Sequence, residues 1–359
     1  MDPRPPHGAA ARWLRAAADF LTADALGFGR RPVPETPARQ LAAVLGRIWA
    51  GWLALLGAAT ALFTLTGFLG GLWWAFDLTS HFRAQYLAGA AVLAVAQALR
   101  RRWWWAGFAV ALAVVNAAVL VPRTGLLPPS AAPGPSAVPS VRVVLLNVHT
   151  GNREFGRVRD FLRETRPDFA VLEEIDAVWR RELEPLRDLF PHVLAEPRED
   201  NFGVMLLSRH PLAEARVVWL GEAEVPSVFA RVTVGGVALA VLGTHPLPPA
   251  GRDYSGHRNR QLAELAPFLN SQTGPKVLLG DLNTTPWNRH FQRLVAATGL
   301  RSSAEGRGYQ ASWPGAPFLL RIPLDHVLLS PELRVVRREI GPDVGSDHLP
   351  VIVEFTPLP

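Results

Sequence analysis

The chain has 359 residues, of which 49% are hydrophobic, and it contains no cysteine. That composition is ample for a large core, and the lack of cysteine excludes disulfides and thiolate metal sites. Residues 1–140 hold 12 arginines and 5 acids, whereas residues 141–359 hold 25 basic and 26 acidic residues, so the net charge of +6 arises in the first part. The second part therefore lacks the overall positive charge of a strong non-specific nucleic-acid binder.

Three uncharged apolar stretches lie in the first part. Ile48–Phe76 has 29 residues, Ala84–Leu99 has 16 and Trp103–Val121 has 19. A helix that crosses a bilayer needs about 20 apolar residues, and Arg83 and Arg100 can extend the second stretch by reaching the interface. We predict a bundle of about three transmembrane helices in residues 41–121, with two spans or soluble helices as the alternatives. The predicted spans are about 48–70, 82–101 and 103–121.

The arginines around these stretches predict the orientation of the anchor. They are Arg30, Arg31, Arg39 and Arg47 before the first span, and Arg100, Arg101 and Arg102 between the second and the third. Because positively charged loops stay in the cytoplasm, the segment 1–40 is predicted to be cytoplasmic. The first apolar stretch lacks the pattern of a cleaved signal peptide, so it is predicted to remain as an anchor. With three spans the protein is a multi-pass protein of the cell membrane, and everything after Val121 lies on the extracytoplasmic side.

A linker and a compact domain follow. Residues 122–140 contain six prolines and one charge, which is typical of a semi-extended linker. The domain, residues 141–359, opens with a predicted strand that ends at Asn147, a helical spacing of apolar residues, and a second strand that ends at Glu174. A strand, helix, strand order predicts a parallel crossover, and ligands in such sheets bind beyond the carboxyl ends of the strands. Asn147 and Glu174 are therefore predicted neighbours.

Polar side chains stand at the ends of most predicted strands in this domain. In Lys276–Pro286 a buried strand is followed by Asp281 and Asn283, which point to the same side because strand side chains alternate. The alternative for this pair is a turn in which both side chains bond their own backbone. His245 is a candidate site residue, and the alternative for it is a packed, structural histidine. Arg258 is another candidate, and the alternative for it is a position on an exposed helix face. The further candidates at strand ends are Asn147, Glu174, Arg209, Asp325, Asp347 and His348.

Two of these positions join a carboxylate to a histidine. Asp325 precedes His326, and Asp347 precedes His348, each beside a predicted buried strand. A carboxylate can orient an imidazole for general acid or base chemistry. Polar residues at so many strand ends are explained better by one shared functional site than by a separate structural reason at each end.

These residues resemble a known family. Gly280-Asp281-Leu282-Asn283 and Ser346-Asp347-His348-Leu349-Pro350-Val351 are similar to motifs of the endonuclease/exonuclease/phosphatase superfamily, which includes deoxyribonuclease I-like enzymes, neutral sphingomyelinases and inositol polyphosphate 5-phosphatases. The resemblance covers essentially all of residues 141–359, and the order of spans, linker and domain is similar to that of bacterial membrane-anchored members. It implies a four-layered α/β sandwich, with two mixed β-sheets packed face to face and helices outside.

The resemblance also implies a metal site. Glu174 is similar to the principal Mg²⁺ ligand of the family, with Asn147 beside it and Asp347 as a metal-site or orienting carboxylate. Mg²⁺ prefers such oxygen ligands and keeps several waters, and Mn²⁺ is an alternative. One departure is Glu173, which stands where the family commonly has glutamine.

Catalytic roles follow from the same resemblance. Asp281 and Asn283 are similar to the pair that positions the attacking water and stabilises the phosphoryl oxygens. His348 is similar to the base-side histidine, Asp325 to the acid that orients it, and His245 to an additional histidine of the deoxyribonuclease I and sphingomyelinase branches. His326 departs from the aromatic residue that is common at its position. Arg209 and Arg258 are candidate substrate contacts.

The expected function is that of a membrane-anchored, Mg²⁺-dependent phosphoesterase. Its substrate is a nucleic acid, a phospholipid head group or a small phosphate ester, and the anchor has membrane lipid as its partner. No protein partner can be inferred. A non-catalytic, membrane-tethered binding module that retains the fold is the alternative from a different functional class.

Overall fold

The structure is a computed structural model that describes residues 37–125 and 140–358. Most of the predicted cytoplasmic segment 1–40 and of the predicted linker 122–140 lies outside the described residues, and the first three linker residues, 122–124, belong to a helix. Within them the chain forms two compact units. One holds the residues up to Leu62 together with Ala88–Ala113, and the other holds Phe63–Leu87 together with the residues from Val114 onward.

In the part of the chain that the structure describes, four helices precede the sandwich. They are α1 (Pro37–Thr66), α2 (Trp74–Ser80), α3 (Arg83–Leu99) and α4 (Trp103–Thr124). In the first unit Leu53, Leu93 and Ala109 form a small core, while large apolar side chains such as Leu55 and Val95 are exposed by 58% and 61%. Helices with apolar side chains on their outer faces require a lipid or protein environment.

By length and composition α1 and α4 can each cross a membrane, and the pair α2 and α3, bent by 64°, passes the same criterion when taken as one broken span. The described residues therefore offer two or three spans. The sequence predicted about three, which is the upper end of this range.

The remaining residues form two six-stranded sheets with helices on their outer faces. The strands are β1 (Val141–Asn147), β2 (Phe169–Glu173), β3 (His192–Glu196), β4 (Val204–Ser208), β5 (Leu212–Trp219), β6 (Pro226–Val234), β7 (Val237–Thr244), β8 (Lys276–Asp281), β9 (Arg301–Ser302), β10 (Asp325–Leu329), β11 (Leu333–Ile340) and β12 (Val351–Pro357). The helices are α5 (Phe155–Thr165), α6 (Ala177–Glu182), α7 (Arg252–Asn270) and α8 (Arg289–Thr298).

Both sheets are mixed. Their strand orders are β11-β12-β1-β2-β4-β3 and β5-β6-β7-β8-β10-β9. β1 is parallel to β2 and β7 to β8, and the other neighbours are antiparallel.

The strands alternate between an inner core and two outer cores. In β1, Val143 and Leu145 face the opposite sheet, while Val144 and Leu146 pack under the helices. The second sheet repeats the pattern, with Leu278 of β8 in the core under α7 and α8. The result is helix, sheet, sheet, helix, and the predicted four-layered α/β sandwich is confirmed.

The same alternation collects polar side chains at one end of the sandwich. Asn147 and Glu173 continue the inward-facing positions of β1 and β2 and lie side by side in the register. Asp281 and Asp325 do the same for β8 and β10 and are also paired. Since the period of a strand is two, these four side chains face the space between the sheets where the inner apolar core ends.

Candidate active site

The turn after β8 fixes Asp281 and Asn283. The backbone N–H of Asn283 donates to Asp281 Oδ1 at 2.9 Å, and Asn283 has a left-handed φ of 49°. The Asn283 amide also donates to the carbonyl of Pro246 at 2.9 Å. Gly280 is needed here because a Cβ at this position would lie 2.0 Å from the carbonyl oxygen of Thr244. The turn expected as a structural alternative is thus present, and it also holds both side chains at the site.

Two histidines flank the Asp281 carboxylate. His348 Nε2 and His245 Nε2 each lie 3.5 Å from Asp281 Oδ2. The other ring nitrogen of His348, Nδ1, lies 3.0 Å from Asp325 Oδ2. Asp325 therefore fixes the orientation of the His348 ring, and Asp281, His245 and His348 form one buried cluster.

Opposite charges in this cluster dominate over burial. Burial alone lowers the pKa of His348, but Asp325 and Asp281 outweigh it and raise the pKa to about 10. Burial also opposes the charged form of His245, yet the hydrogen bond with Asp281 and the charge of Glu173 raise its pKa to about 9. For Asp281, burial raises the pKa, and the two histidines outweigh this effect and bring it to about 2. The Asp281 carboxylate thus favours the protonated form of both imidazoles.

Glu173 lies behind this cluster and is fully buried. Its carboxyl accepts the backbone N–H of Asp281 at 3.0 Å. Burial, the largest effect, raises the pKa of Glu173 well above its usual range. Glu173 thus accepts a hydrogen bond at the position where the family resemblance suggested a glutamine.

A second group of oxygen atoms lies beside the cluster. The Asn147 amide donates to Glu174 Oε1 at 2.9 Å, and the backbone N–H of Thr150 donates to Glu174 Oε2 at 3.0 Å. His149 was not among the sequence candidates, but its Nδ1 lies 3.6 Å from Glu174 Oε2 and 3.6 Å from Asp347 Oδ1. Its place directly after the strand that ends at Asn147 was the signal that could have identified it.

Both groups line one cavity of about 540 Å³. Its polar end is formed by Glu174, His245, Asp281, Asn283, Asp347 and His348. Trp313 also lines it, and the indole N–H of this residue donates to Asp347 Oδ2 at 3.1 Å. Such a cavity, with a few convergent polar groups and perturbed pKa values, is the usual form of an active site.

The structure does not bring Arg209 or Arg258 to the cavity as substrate contacts. Arg209 follows β4 at Ser208, which pairs with Phe169, the end of β2 away from Glu173. Arg258 is fully buried and donates to the carbonyl of Asn283 at 2.9 Å and to the Asp77 carboxylate. The arginine forms a structural ion pair, so both its substrate-binding role and the exposed helix face considered for it are wrong. His326, the other departure from the family pattern, is also structural, with Nε2 2.8 Å from the carbonyl of Thr284.

Sequence reasoning missed the contribution of the segment between α1 and α3. Asp77 accepts from the side chains of Arg258 and of Asn288, the latter at 2.7 Å, and the indole of Trp287 donates to the carbonyl of Ser80 at 2.8 Å. Asp77 is the only acidic residue between Glu35 and Glu154. A lone acid in an apolar anchor is usually paired, which was the available signal.

Asp77→Asn is expected to lower the melting temperature of the full-length protein by roughly 10 °C. Removing one partner of a buried ion pair costs about 3–5 kcal/mol because the other charge stays buried, and 1 kcal/mol corresponds to about 2–4 °C in a domain of this size. The matched control is Asp188→Asn, whose partner Arg163 lies at 2.7 Å on the exposed surface. A thermal melt in detergent compares the two variants. Equal shifts would show that the Asp77 pair does not hold α2 in place.

Comparison with known proteins identifies the family. The model of the Endonuclease/Exonuclease/phosphatase family matches residues 144–348, which is more than half of the chain. The chain belongs to this family. Members of the endonuclease/exonuclease/phosphatase family are metal-dependent phosphoesterases.

Solved structures share the fold of this family. A TDP2 of D. rerio in complex with a single-strand DNA product has 16% identity and a TM-score of 0.51, covering 60% of this chain and 99% of its own. A family protein from Beutenbergia cavernae has 24% identity and a TM-score of 0.50, with 61% and 72% covered. The human Nocturnin catalytic domain with bound sulfate has 16% identity and a TM-score of 0.50, with 62% and 97% covered. No curated protein matches the chain significantly.

Proposed function

We propose that the protein is a membrane-anchored, Mg²⁺-dependent phosphoesterase that hydrolyses a phosphodiester or phosphomonoester. The observation that carries the proposal is the buried carboxylate of Asp281 between two charged histidines, at the wall of a cavity that also contains Glu174 and Asp347. Positive groups aimed at phosphate oxygens, next to a site for a hard cation, are what phosphoryl transfer requires.

Glu174, Asn147 and Asp347 are the residues proposed to hold the metal. The donor set fits, because the carboxylates of Glu174 and Asp347 line the cavity and the Asn147 amide lies beside Glu174, and Mg²⁺ prefers a few such ligands with water completing its shell. Asp281, Asp325 and His348 also bring three ligand atoms within 4.8 Å of one another. We assign that group to catalysis, because Asp325 already engages His348 Nδ1 at 3.0 Å. When bound, the metal would offset negative charge on the phosphate and orient a water.

The chain's own residues divide the remaining work. The Asp281 carboxylate is the acceptor that orients the attacking water. His348 and His245 carry protons at neutral pH and would offset charge on the phosphate oxygens as the P–O bond breaks. Asn283 is held beside His245 by its amide, which donates to the carbonyl of Pro246 at 2.9 Å. Asp325 acts through His348 and is a positioning residue.

Bis(p-nitrophenyl) phosphate with Mg²⁺ is the direct test of this proposal, using the full-length protein in detergent. Hydrolysis that depends on Asp281 supports the assignment. A well-folded protein that hydrolyses neither this ester nor nucleic acid, lipid or small phosphate esters would instead be the tethered binding module considered above.

The contacts of α2 support an extracytoplasmic sandwich. α2 packs on the sandwich through Asp77 and Arg258, so both lie on the same side of the membrane. Only α3 and α4 separate them along the chain, so either both cross the membrane or neither does. Of α3 and α4, only α4 is long and apolar enough to cross by itself. Since the two helices cross together or not at all, this favours a crossing by α3 as well. With a cytoplasmic, arginine-rich start, three spans leave the catalytic domain outside.

A single cysteine introduced into this cysteine-free chain tests the topology. Ser271→Cys, at an exposed position of the catalytic domain, is expected to react in intact cells with a membrane-impermeant maleimide. The matched variant Glu35→Cys, in the predicted cytoplasmic segment, is expected to react only after the cells are opened. The reverse pattern would place the catalytic domain in the cytoplasm.

A further inference from the structure

The catalytic cavity has one wall from outside the sandwich. Trp74, Leu78 and Phe82, in the segment between α1 and α3, line the cavity together with His81. Trp74 and Leu78 lie four residues apart on one face of α2, and Phe82 follows in the break before α3. The apolar side chains of Leu78 and Phe82 offer no hydrogen bonds to a water-soluble phosphate ester, but their surface suits a hydrocarbon chain.

This wall is a fixed part of the site. The segment is held in place by Asp77, which contacts Arg258 and Asn288, and by the carbonyl of Ser80, which accepts from Trp287 Nε1 at 2.8 Å. Asp77 is 2% exposed and Arg258 is fully buried. These buried polar contacts therefore fix the position of the segment and keep its apolar side chains at the cavity.

The apolar surface continues to the outside of the protein. Ile322 and Leu324 line the cavity, and they follow the short turn Phe318–Leu320, whose residues are exposed by 68%, 69% and 50%. Gln85 near the start of α3 donates to the carbonyls of Leu319 at 3.2 Å and Arg321 at 2.9 Å. The exposed turn is thus fastened to the first residues of a helix proposed to enter the membrane.

A basic hollow lies on another side of the same segment. Arg252, Arg289 and Arg293 line it together with Leu72 and Trp73. Leu72 is 78% exposed. Cationic side chains beside exposed apolar ones are typical of a surface that faces anionic lipid head groups.

We propose that the cavity binds a phosphate ester of a membrane lipid, with the phosphate at His245, Asp281 and His348 and the acyl chain along Trp74, Leu78 and Phe82. The acyl chain of the lipid leaves the cavity past the turn Phe318–Leu320 toward the bilayer. In the reaction the oxygen of water forms a new bond to phosphorus, one P–O ester bond breaks, and the departing alcohol takes up a proton. This inference rests on the proposed phosphoesterase function and narrows its substrate.

The test uses the full-length protein and pairs of phosphate esters with and without acyl chains. Dioleoyl phosphatidate is compared with glycerol 3-phosphate, and dioleoyl phosphatidylcholine with glycerophosphocholine, the lipids being presented in mixed micelles with Mg²⁺. We expect at least one lipid to be hydrolysed with a kcat/KM about tenfold or more above that of its chain-free partner, because a buried hydrocarbon chain adds binding free energy. Single-stranded DNA and bis(p-nitrophenyl) phosphate are assayed on the same preparation.

Substitutions in the exposed turn Phe318–Leu320 test the proposed path of the acyl chain. Phe318→Ser with Leu319→Ser is expected to lower the rate on the lipid about tenfold relative to the rate on bis(p-nitrophenyl) phosphate. Leu358→Ser, at another exposed apolar position, is the control and should leave this ratio unchanged. Equal kcat/KM for lipids and chain-free esters, or faster cleavage of DNA than of either lipid, overturns the lipid inference alone. Failure to hydrolyse any phosphoester overturns the proposed function and the lipid inference together.

Discussion

His348→Ala is expected to lower kcat/KM for bis(p-nitrophenyl) phosphate by about 10²–10³-fold, the usual loss when one group that stabilises transition-state charge is removed. The imidazole is 5% exposed and is held between Asp325 at 3.0 Å and Asp281 at 3.5 Å. Asp325→Asn should produce part of the same loss, because the amide no longer favours the charged imidazole.

The double variant separates positioning from an independent role. If Asp325 acts only through His348, adding Asp325→Asn to His348→Ala should lower the rate little further, since residues that act as a unit are not additive. His192→Ala is the control, because β3 begins at His192 beside Ser208, the end of the sheet away from the site. Rates are measured per folded molecule, with melting temperatures taken on the same samples. Fully multiplicative losses would show that Asp325 has a role of its own.

Removal of divalent metal is the second large effect. In excess chelator we expect the rate to fall by at least about 10³-fold, because a bound cation contributes several kcal/mol to the stabilisation of transition-state charge and each 1.36 kcal/mol is tenfold in rate. Glu174→Gln should raise the Mg²⁺ concentration needed for half-maximal rate, since Glu174 is the carboxylate that faces Asn147 and Thr150.

Binding can be followed without activity. Mn²⁺ titration by electron paramagnetic resonance should show weaker binding to Glu174→Gln than to Glu182→Gln, a surface acid paired with Arg159 at 3.0 Å. Retention of full activity in chelator, or equal Mn²⁺ affinity in the two variants, would contradict the assignment of Glu174.

The strands and the residues at their ends could be predicted because the signals are local. An apolar run that ends in Asp281, and alternation that turns Asp281 and Asn283 to one side, are encoded within ten residues. The family motifs then placed these residues in one site. Buried strands of this kind specify both the sheet and the face on which its last side chain points.

The cavity wall formed by Trp74, Leu78 and Phe82 could not be predicted, because the contacts that hold it join distant parts of the chain. Arg258 was interpreted as a surface or substrate contact, but its partner Asp77 is 181 residues away in sequence. Periodicity within α7 cannot reveal such a partner. The high hydropathy of the N-terminal region indicated membrane spans. For the same reason Trp74, Leu78 and Phe82 were interpreted as part of that region and not as residues that line a cavity.

The pairing of Asp77 with Arg258 also imposes an order on biosynthesis. Asp77 leaves the ribosome 181 residues before Arg258, so in the proposed topology the segment around α2 crosses the membrane with a carboxylate that has no partner yet. Because chains fold from the N-terminus as they are made, the sandwich would then complete its interior only against a segment that has already been translocated. A secreted fragment that begins at the sandwich would carry Arg258 as a buried cation without its acid. In the proposed topology, insertion of the anchor would thus be a step in the folding of the catalytic domain as well as the means of its attachment.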